Sequence, residues 1–254
     1  MLYGICNLSM IPMRSHPSHQ SEMINQILFG EFFIILKEKD EYSLVRLNHD
    51  GYEGWVCNNQ WVRITENDYK ILQNQTPTIT TDIIDVIKKE KYQPIVIGSI
   101  LPNFKSNHAS IDNKLYTFNG LTTQGYSQKK HIVENAHLYI DAPYLWGGRS
   151  PLGIDCSGFV QMVYRLQGIS LPRDAYEQVN MGTNIDSIDK CDPGDLAFFI
   201  NKERKVVHVG IIMSRHKIIH ASGKVRIDKI DKNGIYNEDN KVYTHKLHLL
   251  KRIF

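Results

Sequence analysis

The stretch 153–168, GIDCSGFVQMVYRLQG, leaves the chain little conformational choice. Asp155 can cap a helix through its carboxylate. Phe159, Val160, Val163 and Leu166 then recur on one helical stripe, and Gly168 supplies the residue that ends it. The helix therefore starts at Cys156. Upstream, KKHIVENAHLYIDAP carries apolar residues at helical intervals. Downstream, the turns DPGD and NKERK separate three apolar runs: LAFFI (196–200), VVHVGIIM (206–213) and KIIHAS (217–222). The last two form a hairpin joined by a short polar loop, Ser214 to His216. Helices followed by antiparallel strands make the C-terminal half α+β.

Residues 1–65 carry a different pattern. FFIILKE, YSLVRL and YEGWV are apolar runs parted by KDE and NHDG, and Asp50-Gly51 is a hairpin turn. This predicts a small β module ending near Ile64. TENDYK and QNQTPT read as a linker or turns. IIDVIKK, QPIVIGSILPNF and KLYTF, punctuated by proline and glycine, predict a second small β module. The expected domains are 1–65, 66–125 and 126–254.

Cys156 in the first turn of a helix meets unpaired main-chain N–H groups and the positive end of the dipole, which favour a thiolate. The same N–H groups can steady an oxyanion. Strand alternation puts His208 on the face of Gly210 and Ile212, and His220 on the face of Ile218. With a three-residue loop, position 210 lies opposite 220, so His220 falls diagonal to His208. A Cys-His-His relay is then geometrically available. A lone buried cysteine, or a lone histidine in an apolar strand, is more often a packing residue. The joint placement favours chemistry. Cys6, Cys57 and Cys191 lack such surroundings and read as structural, and His245, like His16, His19, His108, His131, His137, His216 and His248, reads as solvated.

The charge balance excludes one class of partner. Thirty basic residues are scattered among 27 acidic ones for a net +3, which leaves no footprint for nucleic acid. The four cysteines show neither zinc spacing nor a disulfide framework. No stretch is long enough to span a membrane, and the N-terminus lacks the pattern of a leader. A cytoplasmic monomer is the expectation, with export the alternative if a leader has been removed.

PYLWGGRSPLGIDCSGFVQMVYRLQGISLPRDAYEQ, then PGDLAFF, HVGIIM and IIHASG, resembles the NlpC/P60 family of cysteine peptidases over roughly 126–254. Cysteine precedes histidine, unlike the order in permuted acyltransferase relatives. The resemblance implies a papain-like catalytic domain, helices packed on an antiparallel sheet, behind two small SH3-like β-barrels. It implies Cys156 as nucleophile, His208 as general base and His220 as the residue that orients it. Tyr144 would lend its hydroxyl to the oxyanion hole, while Trp146, Asp155 and Ser157 would line the substrate groove.

RSHPSHQSEMINQILFGE and DGYEGWV are similar to the first SH3-like module of YkfC-type γ-D-glutamyl-L-diamino acid endopeptidases, the dipeptidyl-peptidase VI group. In that subgroup the module closes one end of the cleft and selects short murein peptides with a free N-terminal L-alanine. Glu22 and Tyr52 match the residues that would hold its ammonium, together with the aspartate before the cysteine. The implied reaction is hydrolysis after D-glutamate in murein tripeptides or tetrapeptides, releasing L-Ala-γ-D-Glu for recycling, and it calls for no metal and no cofactor. The alternatives are a broader murein endopeptidase acting on intact wall and a non-catalytic wall-peptide-binding protein.

Overall fold

The computed structural model describes residues 1–124 and 131–253. The expected domain boundary at 125/126 lies outside the described residues. Two compact units divide the chain, one holding 1–124 with 146–150, the other 131–145 with 151–253.

The first unit opens with β1 (Leu2–Ile5), β2 (Met10–Arg14), β3 (Met23–Leu28), β4 (Phe32–Lys39), β5 (Tyr42–Leu47), β6 (Glu53–Cys57) and β7 (Val62–Ile64). They form one antiparallel sheet in the order β3-β2-β6-β5-β4-β1-β7. The β5–β6 hairpin turns at Asp50-Gly51 as the sequence requires, with Gly51 at φ +74° and the Asp50 carboxylate accepting from the Tyr52 amide. Strand alternation sends Ile11, Met13, Ile27, Phe33, Val45, Val56 and Trp61 into one buried cluster, which also holds Cys6. Each such aliphatic or aromatic side chain contributes about 1.5–3 kcal/mol by leaving water.

The polar segment after β7 is not a linker. It folds as α1 (Glu66–Asn74), closed by a reciprocal capping box between Thr65 and Asp68. Thr65 Oγ1 accepts from the Asp68 amide, and the Asp68 carboxylate accepts from the Thr65 amide. The second group of strands follows: β8 (Ile79–Thr80), β9 (Ile84–Lys88), β10 (Tyr92–Val96), β11 (His108–Ile111), β12 (Lys114–Thr117) and β13 (Thr122–Thr123). Four of them form a sheet in the order β10-β9-β12-β11, and β8 pairs with β13. Strand β14 (Arg149–Ser150) also belongs to this unit.

The second unit contains α2 (His131–His137), β15 (Gly153–Ile154), α3 (Cys156–Arg165) and α4 (Ala175–Gln178). Helix α3 begins at Cys156 under the Asp155 cap, and Gly168 adopts φ +77° after it. One expectation changes. Residues 156–164 are all buried, so α3 is a central helix rather than one with a single apolar stripe. Two of its buried side chains donate to distant carbonyls: Gln161 Nε2 to that of Leu171 at 3.0 Å, and the Tyr164 hydroxyl to that of Gly194.

Strands β16 (Thr183–Asn184), β17 (Leu196–Ile200), β18 (Val206–Ser214), β19 (Lys217–Ser222), β20 (Lys224–Asp231), β21 (Gly234–Asn237) and β22 (Val242–Arg252) complete the unit. The antiparallel sheet runs β16-β22-β17-β18-β19-β20-β21, and β21 also pairs with β22. Six strands therefore close into a barrel, leaving those strands without a free edge. Ala197, Phe199, Ile212, Ile218, Ile230, Ile235 and Leu250 fill one cluster inside it. Helix α3 packs on β18 and β19.

Candidate active site

Two successive diagonal steps across β18, β19 and β20 assemble the polar part of the site. Ile211 pairs with Ile219 and Ile212 with Ile218, which sets Gly210 against His220. The turn differs from the expected one: Ser214 pairs with Lys217, and a bulge between Ile212 and Ser214 restores the offset. The diagonal follows either way. His208 Nε2 and His220 Nδ1 stand 2.8 Å apart. Glycine at 210 matters here, because a Cβ there would fall 2.8 Å from the His220 Cβ.

The second step was not anticipated. His220 Nε2 donates to Asp228 Oδ2 at 3.0 Å, and Arg226 embraces the same carboxylate with Nε and Nη2, each at 2.8 Å. A further histidine joins them. The His245 ring stacks on His208 at 4.1 Å between centroids and 25° between planes. His245 is half-buried rather than solvated. No local motif could have revealed it, since β22 reaches β17, beside His208 on β18, only through long-range pairing. Asp228 left a faint trace: Arg226, Asp228 and Ile230 alternate along one face of β20.

Cys156 is 6% exposed, His208 5%, His220 1% and Asp228 4%, and for Cys156 and His208 desolvation governs protonation. Burial pushes the Cys156 thiol up to about 12, with the Asp155 charge adding to it. The main-chain N–H groups at Val209 and Ser157 and the Arg173 charge act in the opposite direction. The expected lowering at a helix start is thus overturned: loss of water around the sulfur and a neighbouring carboxylate outweigh the helix terminus. Burial also holds His208 well below the ordinary histidine range, and positive charge arriving at the neighbouring imidazoles would lower it further. The resting pair is a thiol and a neutral imidazole.

Asp155 and Ser157 are held from below by an arginine the sequence did not single out. Arg173 donates from Nη2 to Asp155 Oδ2 at 2.5 Å and from Nη1 to Asp155 Oδ1 and Ser157 Oγ at 3.0 and 2.9 Å. Asp155 Oδ1 also accepts from the Gly158 amide at 2.7 Å. Gln178 Nε2 donates to the Ser157 and Pro172 carbonyls, which ties the segment before α4 to the start of α3. A buried aspartate cap needs a cation, and that requirement is the signal that could have pointed to Arg173. Tyr144 is half-buried and its hydroxyl is pushed up by burial and by the Cys156 and Asp155 charges, so it stays a proton donor.

The remaining expected residues lie in the first unit. Trp146 is exposed, and its Nε1 donates to Glu22 Oε1 at 2.6 Å. Tyr52 packs partly buried against the apolar cluster of the first sheet. Among the described residues no group of three or more His, Cys, Asp or Glu side chains could hold a metal ion.

Residues 141–244 match the model of the NlpC/P60 family, and residues 13–60 match that of the bacterial dipeptidyl-peptidase SH3 domain. The chain carries an NlpC/P60 peptidase domain. The chain is 28% identical over 260 residues to dipeptidyl-peptidase 6 of Lysinibacillus sphaericus, covering 91% of this chain and 93% of that one. It is also 28% identical over 222 residues to the γ-D-glutamyl-L-lysine dipeptidyl-peptidase of Bacillus subtilis, covering 77% and 71%. The crystal structure of an NlpC/P60 family protein from Bacillus cereus shares the fold, with a TM-score of 0.84 at 17% identity over 99% of both chains. An NlpC/P60 endopeptidase from Photobacterium damselae aligns with a TM-score of 0.71 at 19% identity, over 97% of this chain and 70% of that one.

Proposed function

We propose that this peptidase hydrolyses the γ-D-glutamyl–diamino acid bond of murein peptides with a free N-terminal L-alanine, releasing L-Ala-γ-D-Glu. The observation that carries the chemistry is the 2.8 Å contact between His208 Nε2 and His220 Nδ1, in the same unit as a cysteine at the start of α3. The names of the relatives support the bond and the dipeptide product. A dipeptidyl product with a free amine suits recycling of wall fragments.

Cys156 attacks the γ-carbonyl as its proton passes to His208. The thiol at about 12 makes this a coupled transfer, because the thiolate is scarce at neutral pH. The Cys156 amide and the Tyr144 hydroxyl stabilise the oxyanion. The His208 imidazolium protonates the leaving amine, and the neutral ring then activates water to free the acyl-enzyme. No step calls for a metal or a cofactor. Trp146, Glu22 and Tyr52, together with Asp155 and Ser157, are the proposed substrate contacts. Asp155 would meet an ammonium with its carboxylate already paired to Arg173.

Mass spectrometry of products from L-Ala-γ-D-Glu-L-Lys, its diaminopimelate counterpart and their N-acetylated forms tests the proposal. The expected result is L-Ala-γ-D-Glu from the free peptides and little cleavage of the acetylated ones. Equal cleavage of both would discard amine recognition by Glu22 and Tyr52, and a different scissile bond would discard the γ-D-glutamyl assignment.

A further inference from the structure

A carboxylate on an inward barrel face, beside Ile218 and Ile230, carries a heavy desolvation cost unless it is fully paired. Asp228 is so placed, opposite Ile218 in the β19–β20 register, with His220 opposite Arg226. Arg226 supplies two donors and His220 Nε2 the third. Arg226 in turn reaches the exposed Asp239 at 2.7 Å. The His220 contact is not needed to neutralise Asp228, because Arg226 already does so with a bidentate pair. It does fix where the His220 proton sits.

We propose that Asp228 is a positioning residue which sets the tautomers of both active-site imidazoles. An ionised carboxylate only accepts, so His220 carries its proton on Nε2. Neutral His220 then has a lone pair on Nδ1, and the 2.8 Å contact requires His208 to donate from Nε2. That leaves His208 Nδ1 unprotonated, ready to take the Cys156 proton. When it does, only the S–H bond breaks and one N–H bond forms. The resulting imidazolium donates into a chain of aligned acceptors that ends on the Asp228 charge. Without that anchor His220 can hold its proton on Nδ1, turn the same contact round, and leave the His208 proton on Nδ1, facing the wrong way for catalysis. The inference rests on the roles proposed above for Cys156, His208 and His220.

The test uses the full chain with ¹⁵N-labelled histidine, in wild type, Asp228→Asn, Asp228→Glu and Arg226→Met. Ring-nitrogen shifts of His208 and His220 report the tautomers without substrate. Steady-state kinetics on L-Ala-γ-D-Glu-L-Lys report kcat and KM separately. Asp228→Asn should keep KM, lower kcat by about 10- to 100-fold, the scale of one charge-assisted hydrogen bond, and show a mixed His220 tautomer. Asp228→Glu should recover part of kcat and the Nε2-protonated signal. Arg226→Met should keep the tautomer. A kcat for Asp228→Asn within about twofold of wild type overturns the proposal, and so does a large loss with the His220 tautomer unchanged, which would mark a structural role. If wild type leaves the peptide uncut, the functional reading fails while the tautomer measurement still stands.

Discussion

Each unit is organised around an antiparallel seven-stranded sheet, and the two enclose very different interiors. In the first, the inward side chains are Ile11, Met13, Ile27, Phe33, Val45 and Trp61, with the Cys6 thiol sealed among them. In the second, the inward faces of β18, β19 and β20 carry His208, His220 and Asp228 on the same side as Ile212, Ile218 and Ile230. Both units also bury an arginine–carboxylate pair: Arg149 with Glu31 in the first, at 2.9 Å, and Arg173 with Asp155 in the second, at 2.5 Å. The same architecture can thus be sealed or made reactive. What separates the two is a line of polar groups, each holding the next, set into otherwise apolar strands.

The largest expected difference is kinetic. His208→Ala should lower kcat/KM on the free tripeptide by about 10²- to 10⁴-fold, the usual worth of a general base, with little change in thermal unfolding. An unchanged rate would mean that the polar line in the second unit is as inert as the first unit's core.

Next come the paired arginines. Arg173→Met leaves Asp155 buried with its cation gone, and Arg149→Met does the same to Glu31. Each should cost about 3–5 kcal/mol, read as a lower midpoint in denaturant unfolding. Arg173→Met should in addition slow alkylation of Cys156, since the Arg173 charge holds that thiol down. A loss of under about 1 kcal/mol for either variant would show that the pair is solvated in solution.

How much of this was readable in the sequence follows the range of the interaction. The start of α3 at Cys156, its Asp155 cap and the strand Leu196–Ile200 depend on neighbours a few residues away, and all were legible. The His208–His220 diagonal was legible too, although a bulge at the turn, not a longer loop, delivers it. Helix α1 could have been read from Thr65-x-x-Asp68, but a polar surface helix shows almost no apolar period. The Arg173–Asp155 pair, the Asp228 anchor, the stacking of His245 and the closure of the barrel join residues far apart in the chain, and pattern reading has no purchase there. The protonation of Cys156 was misjudged because the helix terminus is a local feature, whereas burial is a property of the whole fold.

Two of the buried thiols sharpen the comparison further. Burial raises Cys6 strongly, with only the Leu8 main chain opposing it, whereas Cys156 has two main-chain N–H groups and Arg173 in its favour. Timed iodoacetamide labelling with peptide mapping should modify Cys156 at least about tenfold faster than Cys6 in the folded protein, and both equally in denaturant. Equal rates in the folded state would erase the distinction.

The smallest effect concerns pH. The neutral form of His208 is the base, and its range is depressed, so kcat/KM should stay flat through pH 6.5 and fall only at lower pH. His245 lies against the ring and is itself lowered to about 4 by burial. Its removal in His245→Ala lets water reach His208 and takes away the positive charge that His245 gains at low pH. Both raise the His208 value, so the acid limb should move to higher pH, by up to about one unit. Neutral burial also makes the fold acid-sensitive: below 6.5 the unfolded chain takes protons that folded His208 refuses, so stability falls with pH.

The central claim is that a buried sulfur at the head of α3 performs the chemistry, and Cys156→Ala tests it most directly. Product release from L-Ala-γ-D-Glu-L-Lys should drop by at least about 10⁴-fold, while thermal unfolding matches wild type. A correctly folded Cys156→Ala protein that still yields L-Ala-γ-D-Glu at a rate within about tenfold of wild type would contradict the account.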